Sequence, residues 1–198
     1  MDKRTIDTYD QLANEYDKET TDFWDRFPRT IFDRFIELTK GEVLDIGSGP
    51  GRDGLILQRS GLNVTCLDAS EAMIKISTGR GLHSIIGDFN DLSFKDGSFD
   101  GVWAYTSLLH VPKSEIDQSI SEIHRVLKSN GIFGLGMIDG ENELYRESSG
   151  VGKPRWFSFY KRGEIERILA KHRFEIIYFE EFKVNTKNYL NFISRKSS

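Results

Sequence analysis

The chain has 198 residues, 38% of them hydrophobic and 12% aromatic, which is enough to bury the core of one domain without disulfides or bound metals. Its formal net charge of −4 disfavours broad nucleic-acid binding, because such binding depends on neutralising phosphates. A single cysteine, Cys66, excludes an intramolecular disulfide and a cysteine-rich metal site, and no apolar run approaches the roughly 18 residues of a membrane span. We therefore expect one cytoplasmic domain, residues 1–198, without a membrane partner.

The charges are unevenly distributed along the sequence. Residues 141–198 carry 12 Lys and Arg against 8 Asp and Glu, whereas the residues before them are acidic overall. A solvated basic face is the simpler interpretation of this segment, and attraction of an anionic substrate is the alternative.

The first 39 residues are predicted to form a helical cap. Tyr9, Leu12 and Tyr16 recur at helical spacing and share one face, either for packing alone or beside a ligand. A second apolar stripe at helical spacing is predicted to face the core, and it contains Phe23, Trp24, Phe27, Ile31, Phe35 and Leu38.

Residues 43–53, V-L-D-I-G-S-G-P-G-R-D, predict a buried strand, a glycine-rich turn and the start of a helix. Alternating glycines let the backbone turn sharply and bring amide groups and a helix N-terminus close to a ligand. Dinucleotide sites space their glycines as G-x-G-x-x-G, and Arg52 stands where the third glycine would be needed. Asp45, before the first glycine, suits a ligand with positive charge and opposes a pyrophosphate. A turn with no binding role is the alternative.

Acids also follow the next two predicted strands. Asp68 ends the strand 62–68, where it is placed to accept hydrogen bonds from the hydroxyls of a ribose. Ser70 is a suitable N-cap for the helix that follows. The short strand 83–86 then leads into Gly-Asp-Phe-Asn at residues 87–90.

The remaining elements complete an alternating pattern. Strand 99–105, helix 114–127, a turn at 128–131 and strand 132–137 follow, and helix 162–171 precedes two strands, 174–180 and 189–193. Alternation predicts parallel strands with helices on both faces, and the last two strands, without a helix between them, must form a hairpin. We predict an α/β fold: a Rossmann-like, doubly wound, seven-stranded, mostly parallel sheet with one antiparallel strand near the C-terminus.

The pattern D-x-G-x-G-x-G at residues 45–51, followed by acids after two further strands, resembles the class I S-adenosylmethionine-dependent methyltransferases. Y-D-x-x-A-x-x-Y-D at residues 9–17 is similar to the N-terminal helix of small bacterial members of that class. The resemblance extends over residues 40–195 and implies S-adenosyl-L-methionine as the cofactor. Four parts are then expected in the single domain: the cap 1–39, a cofactor-binding core 40–138, a substrate lid 139–160, and a C-terminal helix and β-hairpin 161–198.

The resemblance also implies which residues bind the cofactor. Asp45 would lie near its amino acid part, Asp68 would accept from the ribose, and Asp88 would accept from the adenine amine with Phe89 beside the ring. The full implied set is Tyr16, Asp45, Gly47, Ser48, Gly49, Gly51, Asp68, Ala69, Met73, Asp88, Phe89, Asn90 and Tyr105.

The segment after the fourth strand narrows the range of possible methyl acceptors. It has Ala-Tyr-Thr-Ser at residues 104–107, unlike the [DNS]-P-P-[YFW] of enzymes that methylate exocyclic base nitrogens. Cys66 is on the wrong strand for a carbon-5 pyrimidine enzyme, and we see no acidic cluster of the catechol type, so no metal is expected. An oxygen or nitrogen of a small molecule remains. Tyr105 and His110 are the candidate catalytic residues, with a structural role for His110 as the alternative.

Residues 139–160 contain Lys153 and Arg155 beside a run of four aromatic residues at 156–160, and loops at the carboxyl ends of parallel strands overlie the ligand crevice. We therefore expect a lid over the acceptor. Four other functions stay open: a methyltransferase for RNA or protein, a cofactor binder with changed chemistry, a dinucleotide oxidoreductase and a regulatory module. The oligomeric state is not predicted.

Overall fold

The computed structural model describes residues 2–147 and 152–197. In chain order, its helices and strands are α1 (Lys3–Thr20), α2 (Phe23–Arg26), α3 (Thr30–Leu38), β1 (Glu42–Ile46), α4 (Arg52–Arg59), β2 (Asn63–Asp68), α5 (Glu71–Gly79), β3 (His83–Ile86), β4 (Phe99–Tyr105), α6 (Ile116–Val126), β5 (Leu127–Ile138), β6 (Glu143–Glu147), β7 (Pro154–Ser158), α7 (Arg162–Lys171), β8 (Phe174–Val184) and β9 (Lys187–Lys196). A short 3₁₀ turn, Leu108–His110, follows β4. None of the helices in these described ranges is long and apolar enough to cross a membrane.

Seven strands form one sheet in the order β3-β2-β1-β4-β5-β9-β8. The pairs from β3 to β5 are all parallel, and β9 runs antiparallel to both of its neighbours, β5 and β8. The predicted sheet with one reversed strand is therefore confirmed. Because β1, β2 and β4 are parallel, their carboxyl ends meet at one edge of the sheet, where the predicted acids and glycines lie.

The two faces of the sheet bury separate apolar clusters. On β4, Val102 and Ala104 belong to the cluster under α6 and α7, whereas Trp103 and Tyr105 belong to the cluster under α2 and α3. Side chains alternate between the faces of a strand, which is why neighbouring residues belong to different clusters. Cys66 is a free, buried thiol of the second cluster.

The cap differs from a continuous helical stripe. Pro28 lies between α2 and α3, and the chain is extended at Phe27, as expected for a residue that precedes proline. The stripe nevertheless packs as predicted at Trp24, Ile31 and Phe35, which are buried, but not at Leu38, which is 43% exposed.

Two further differences concern β-structure. The predicted turn at residues 128–131 is a bulge inside β5, where the register against β4 shifts and Asn130 has a φ of +63°. The predicted lid contains an unforeseen antiparallel hairpin, β6 with β7. Because β6 is exposed along its whole length, it lacks the buried, apolar positions whose alternation would have predicted a strand. Residues 148–151 of the lid lie outside the described residues.

Candidate functional site

The glycine-rich turn after β1 lies against the ends of two other strands. The amides of Gly47 and Ser48 donate to the carbonyl of Leu67 at 2.7 and 3.1 Å, which fixes the turn beside the end of β2. Gly47 and Gly49 both have left-handed φ angles, +64° and +54°. A Cβ at Gly47 would come within 2.4 Å of the Ser107 Cβ, whereas one at Gly49 would meet only the Tyr16 ring at 3.8 Å. The turn is thus packed tightly at its first glycine and open at its second.

A cavity, which we call the inner cavity, lies above this turn between the sheet edge and α1. It brings together ten of the residues predicted from the sequence: Tyr16, Asp45, Gly47, Ser48, Gly49, Asp68, Met73, Phe89, Tyr105 and His110. Seven further residues line it, namely Tyr9, Thr20, Pro50, Arg52, Asp53, Thr106 and Ser107. Residues that are distant in sequence therefore converge where the parallel strands end.

Asp68 is held in a fixed orientation at the end of β2. One carboxylate oxygen accepts from the Gly49 amide at 2.8 Å, and the other accepts from the Ser70 amide at 2.9 Å. Ser70 caps α5 and also donates to Asp10 of α1 at 2.6 Å, so the cap is tied to the same place. Burial raises the pKa of Asp68, and the amide hydrogen bonds oppose that effect. Each oxygen keeps acceptor capacity for a ligand hydroxyl.

Two buried carboxylates below the turn behave differently. Burial opposes ionisation of Asp53, but Arg52 at 2.7 Å and the indole N–H groups of Trp24 and Trp103, at 2.8 and 2.9 Å, outweigh it and lower its pKa. Asp45 is only 2% exposed, and burial together with the charge of Asp53 raises its pKa well above the usual range. One buried oxygen of Asp45 has no hydrogen-bond partner among the described residues. A cation in the inner cavity would satisfy this group.

His110 is bonded on both sides of its ring. Its Nδ1 lies 2.6 Å from the Trp156 carbonyl, which can only accept, so Nδ1 carries the hydrogen. Nε2 therefore accepts from the Tyr9 hydroxyl at 2.8 Å, and that hydroxyl accepts from Arg155 at 2.5 Å. Burial, and next the charge of Arg155, lower the pKa of His110 to about 3. The imidazole is neutral at physiological pH, and the lone pair on its Nε2 already accepts the hydrogen bond from Tyr9.

Tyr105 forms part of the wall of the inner cavity as a neutral aromatic residue. Its ring stacks on Trp103, with centroids 5.5 Å apart and planes 7° from parallel, and packs 4.8 Å from Trp24 of the cap. Burial raises the pKa of its hydroxyl. The side chain therefore keeps its proton at neutral pH and can act only as a donor or neutral acceptor.

Comparison with known proteins agrees with this arrangement. A family model described as a methyltransferase domain matches residues 44–135, from β1 to β5. A protein of Methanocaldococcus jannaschii, uncharacterized protein MJ1123, is 32% identical over 165 residues, which cover 79% of this chain and 72% of that protein. The chain belongs to the class I S-adenosylmethionine-dependent methyltransferases.

Other methyltransferases are similar over most of the chain. The sterol 24-C-methyltransferase of Clavispora lusitaniae is 28% identical, over 89% of this chain and 57% of its own length. The chain spans about half the length of the curated sterol methyltransferases that it matches. A solved S-adenosylmethionine-dependent methyltransferase of Methanosarcina mazei has the same fold, with a TM-score of 0.75 at 23% identity, covering 86% of this chain and 98% of that one.

The inner cavity fits the methyltransferase cofactor, S-adenosylmethionine. That cofactor carries a positively charged sulfur and an ammonium group, and three carboxylates line the cavity against one arginine: Asp45, Asp53 and Asp68 against Arg52. The partnerless oxygen of Asp45 and the open space above Gly49 are the observations that favour a cationic ligand at the turn.

Four residues that the methyltransferase resemblance assigned to the cofactor do not line the inner cavity: Gly51, Ala69, Asp88 and Asn90. At Gly51 the missing Cβ makes room for Leu82 and Ser77, at 2.4 and 2.9 Å from where it would lie, so this glycine serves packing of the turn. The Asn90 side chain is bonded to Glu115 and Ser119 of the α6 region, and Asp88 accepts from the Asn90 amide. These contacts shape the loop after β3.

Arg52 and Asp53 line the inner cavity without having been assigned to it from the sequence, and Tyr9, for which packing alone was the alternative, lines it as well. For Arg52 and Asp53 a signal was available, because both stand in the first helical turn directly after the glycines, and a helix N-terminus there lies close to the ligand. The role of Asp53 depends on Trp24 and Trp103, 29 and 50 residues away, and no spacing rule connects them. No group of three or more His, Cys, Asp or Glu suited to a metal occurs within residues 2–147 and 152–197.

Proposed function

We propose that this protein transfers the methyl group of S-adenosylmethionine to an oxygen or nitrogen of a small molecule. The observation that carries the proposal is a second cavity, the outer cavity, of about 820 Å³, that has lining residues in common with the inner one. The two cavities share Tyr9, Tyr16, Thr20, Thr106 and His110. A cofactor in the inner cavity and an acceptor in the outer cavity would meet at these shared residues.

The chemistry requires few groups from the protein. S-adenosylmethionine supplies a methyl group bound to a positively charged sulfur. When the acceptor lone pair bonds to the methyl carbon, the carbon–sulfur bond would break with its electron pair left on sulfur, and the proton lost by the acceptor would pass to bulk solvent outside the reacting centre. The protein then has to align the acceptor and exclude water from the reacting atoms.

In this proposal Tyr9 and His110 position the acceptor and do not exchange protons with it. His110 accepts from Tyr9, and Tyr9 accepts from Arg155, so the donor groups around the Tyr9 ring are fixed before any acceptor arrives. A histidine whose pKa is about 3 is too weak a base to take a proton from an ordinary alcohol or amine. Tyr105 would close the wall beside the methyl group.

The four parts of the chain have different roles in this proposal. We assign the cofactor to the core, residues 40–138, and the acceptor to the space between the cap, residues 1–39, and the lid, residues 139–160. Residues 161–198 complete the outer cavity through the β8–β9 turn.

The sterol methyltransferases among the relatives suggest a second candidate, methylation of carbon. Transfer of a methyl cation to a neutral carbon–carbon double bond would leave a carbocation, whose charge persists until a base removes a proton from carbon, whereas an oxygen or nitrogen acceptor loses its proton readily to solvent. The outer cavity is lined by five basic side chains and two carboxylates, which disfavours such a charge. We therefore prefer a heteroatom acceptor.

An acceptor screen tests the proposal. The protein is incubated with S-adenosylmethionine carrying a labelled methyl group and with pools of hydroxylated and amino compounds, and the products are identified by mass spectrometry. We expect label on oxygen or nitrogen of a small molecule and release of S-adenosylhomocysteine. Label on carbon, on tRNA or on a protein substrate offered in parallel would contradict the proposal.

A further inference from the structure

The outer cavity has a charge opposite to that of the inner one. Lys18, Arg26, Arg146, Arg155 and Lys187 line it, against Glu19 and Asp22. In a chain whose formal net charge is −4, this local excess of positive charge is concentrated where the acceptor would enter.

Only one of these cations is neutralised by the two carboxylates. Arg26 pairs with Asp22 at 2.8 Å and also donates to the backbone carbonyl of Glu19 at 2.7 Å. In the described part of the chain, no carboxylate forms an ion pair with Arg146 or Lys187. Arg146 of the lid and Lys187 of the β8–β9 turn therefore bring positive charge to the outer cavity that no carboxylate of the described residues compensates.

Two of the lid cations oppose each other directly. Arg146 of β6 and Arg155 of β7 are register partners in the antiparallel hairpin, so their side chains leave the same face of it. Like charges in this position repel and destabilise a hairpin. Lys187 lies near enough for both arginines to lower its pKa, after the larger effect of burial. An anion placed among the three side chains would remove this repulsion.

Part of the outer cavity wall is aromatic. Phe27 of the cap and Tyr189 of β9 pack edge to face with centroids 5.4 Å apart, and Phe157 of the lid completes the aromatic surface. Arg155 lies over the Phe157 ring, 5.3 Å from its centroid, so the cationic and aromatic surfaces adjoin. A cavity of this size and lining accepts a drug-sized molecule with a flat apolar body.

We propose that the acceptor is an amphipathic anion, whose apolar body packs on Phe27, Phe157 and Tyr189 and whose anionic group is bound by Arg146, Arg155 and Lys187. The inference rests on the proposed function, because it takes the outer cavity to be the acceptor site. Carboxylate and phosphate share the chemistry that these cations recognise, since the two guanidinium groups can bind either anion in a planar, bidentate manner and the Lys187 ammonium donates to either as a point charge.

The test uses two fluorescent probes of similar shape. 8-Anilinonaphthalene-1-sulfonate carries an anionic group, and N-phenyl-1-naphthylamine is its neutral counterpart. Each is titrated into the full-length protein in the presence of saturating S-adenosylhomocysteine. We expect the anionic probe to bind one site at least tenfold more tightly than the neutral one. Phenylacetate and phenyl phosphate are then compared as competitors, to decide which anionic group is preferred.

Variants locate the bound probe. Arg146→Gln combined with Lys187→Gln should weaken the anionic probe by roughly tenfold or more and leave the neutral probe unchanged. Arg59→Gln, which removes a positive charge from the end of α4, is the matched control and should change neither. Arg146 is exposed and its replacement removes a repulsion, so the double variant should fold.

The outcomes distinguish failure of the proposed function from failure of the anionic acceptor. Failure of S-adenosylhomocysteine to bind the wild type, measured first by calorimetry, would overturn the proposed function. Normal binding of S-adenosylhomocysteine, with equal affinity for the two probes or with no effect of the double variant, would overturn only the anionic acceptor.

Discussion

The Tyr9 hydroxyl lies 2.8 Å from Nε2 of His110, joining the N-terminal helix to the turn after β4 across 101 residues of sequence. Because the other ring nitrogen of His110 is bonded to the Trp156 carbonyl at 2.6 Å, the same imidazole also holds the lid. One side chain thus connects three parts of the chain around the two cavities. In this arrangement a buried histidine can hold the N-terminal helix and the lid in place without accepting a proton.

Replacement of His110 should therefore affect catalysis only mildly. We expect His110→Gln, which keeps a donor and an acceptor, to lower single-turnover methylation by less than about tenfold, because alignment supplies most of the rate. The wild-type rate should show no ionisation near pH 6.5 when measured from pH 5 to 9. A loss of about 10²–10⁴-fold, with such an ionisation in the wild type, would instead identify His110 as a general base.

The stability of the protein should depend on pH through the same residue. The pKa of His110 is about 3 in the folded chain, below the ordinary value of 6.5. Between these pH values the unfolded chain binds a proton that the folded chain does not, so stability falls as pH is lowered through this window. The slope is on the order of 1 kcal/mol per pH unit from this group.

Urea unfolding of the wild type and His110→Gln from pH 4.5 to 8 measures that slope. Asp45, whose pKa is raised by burial, contributes with the opposite sign in both proteins and cancels in the comparison. We expect the free energies of unfolding of the two proteins to differ by a constant amount above pH 6.5. Below that pH the difference should shrink, because the wild type alone loses stability through His110. Parallel curves over the whole range would mean that His110 titrates normally.

The first two glycines of the turn should respond differently to substitution. Gly47→Ala places a Cβ 2.4 Å from the Ser107 Cβ and should lower the melting temperature strongly. Gly49→Ala meets no protein atom closer than 3.8 Å, so its cost to stability should be limited to the left-handed φ, about 1–2 kcal/mol.

Binding separates the two variants further. The Cβ added by Gly49→Ala lies in the open space of the inner cavity. This variant should therefore weaken the binding of S-adenosylhomocysteine while the protein remains folded. Gly61→Ala has a comparable φ of +89° and no atom within 4 Å, and it serves as the control for backbone strain. Equal affinity in Gly49→Ala and Gly61→Ala would show that the glycine serves only the turn.

Local sequence patterns predicted the secondary structure and the sheet topology more completely than the contacts between side chains. Residues 83–86, 99–105 and 162–171 have the boundaries expected from the sequence, because hydrophobic periodicity and flanking turn residues mark them directly. The hairpin of β6 and β7 could not be expected, since an exposed strand such as Glu143–Glu147 has no alternation to detect. Pro28 gave a visible signal for the break between α2 and α3.

Long-range side-chain pairs account for most of what was not predicted at the site. Which oxygen of Asp53 would bind Trp24, and which Trp103, depends on the packing of the cap against the sheet. The engagement of His110 depends equally on where Tyr9 and Trp156 arrive in space. The strand-end acids were predictable because the edge at which parallel strands end is determined by topology.

Calorimetric titration of S-adenosylhomocysteine into wild type and Asp68→Ala tests the central claim most directly. Asp68 is oriented by the amides of Gly49 and Ser70, and its loss removes a charge-assisted acceptor worth about 1.5–3 kcal/mol. We predict one site in the wild type and a roughly ten- to hundredfold weaker one in folded Asp68→Ala, with no change in Asp96→Ala, whose side chain is 81% exposed. Absence of binding to the wild type, or equal affinity in a folded Asp68→Ala protein, would contradict the account.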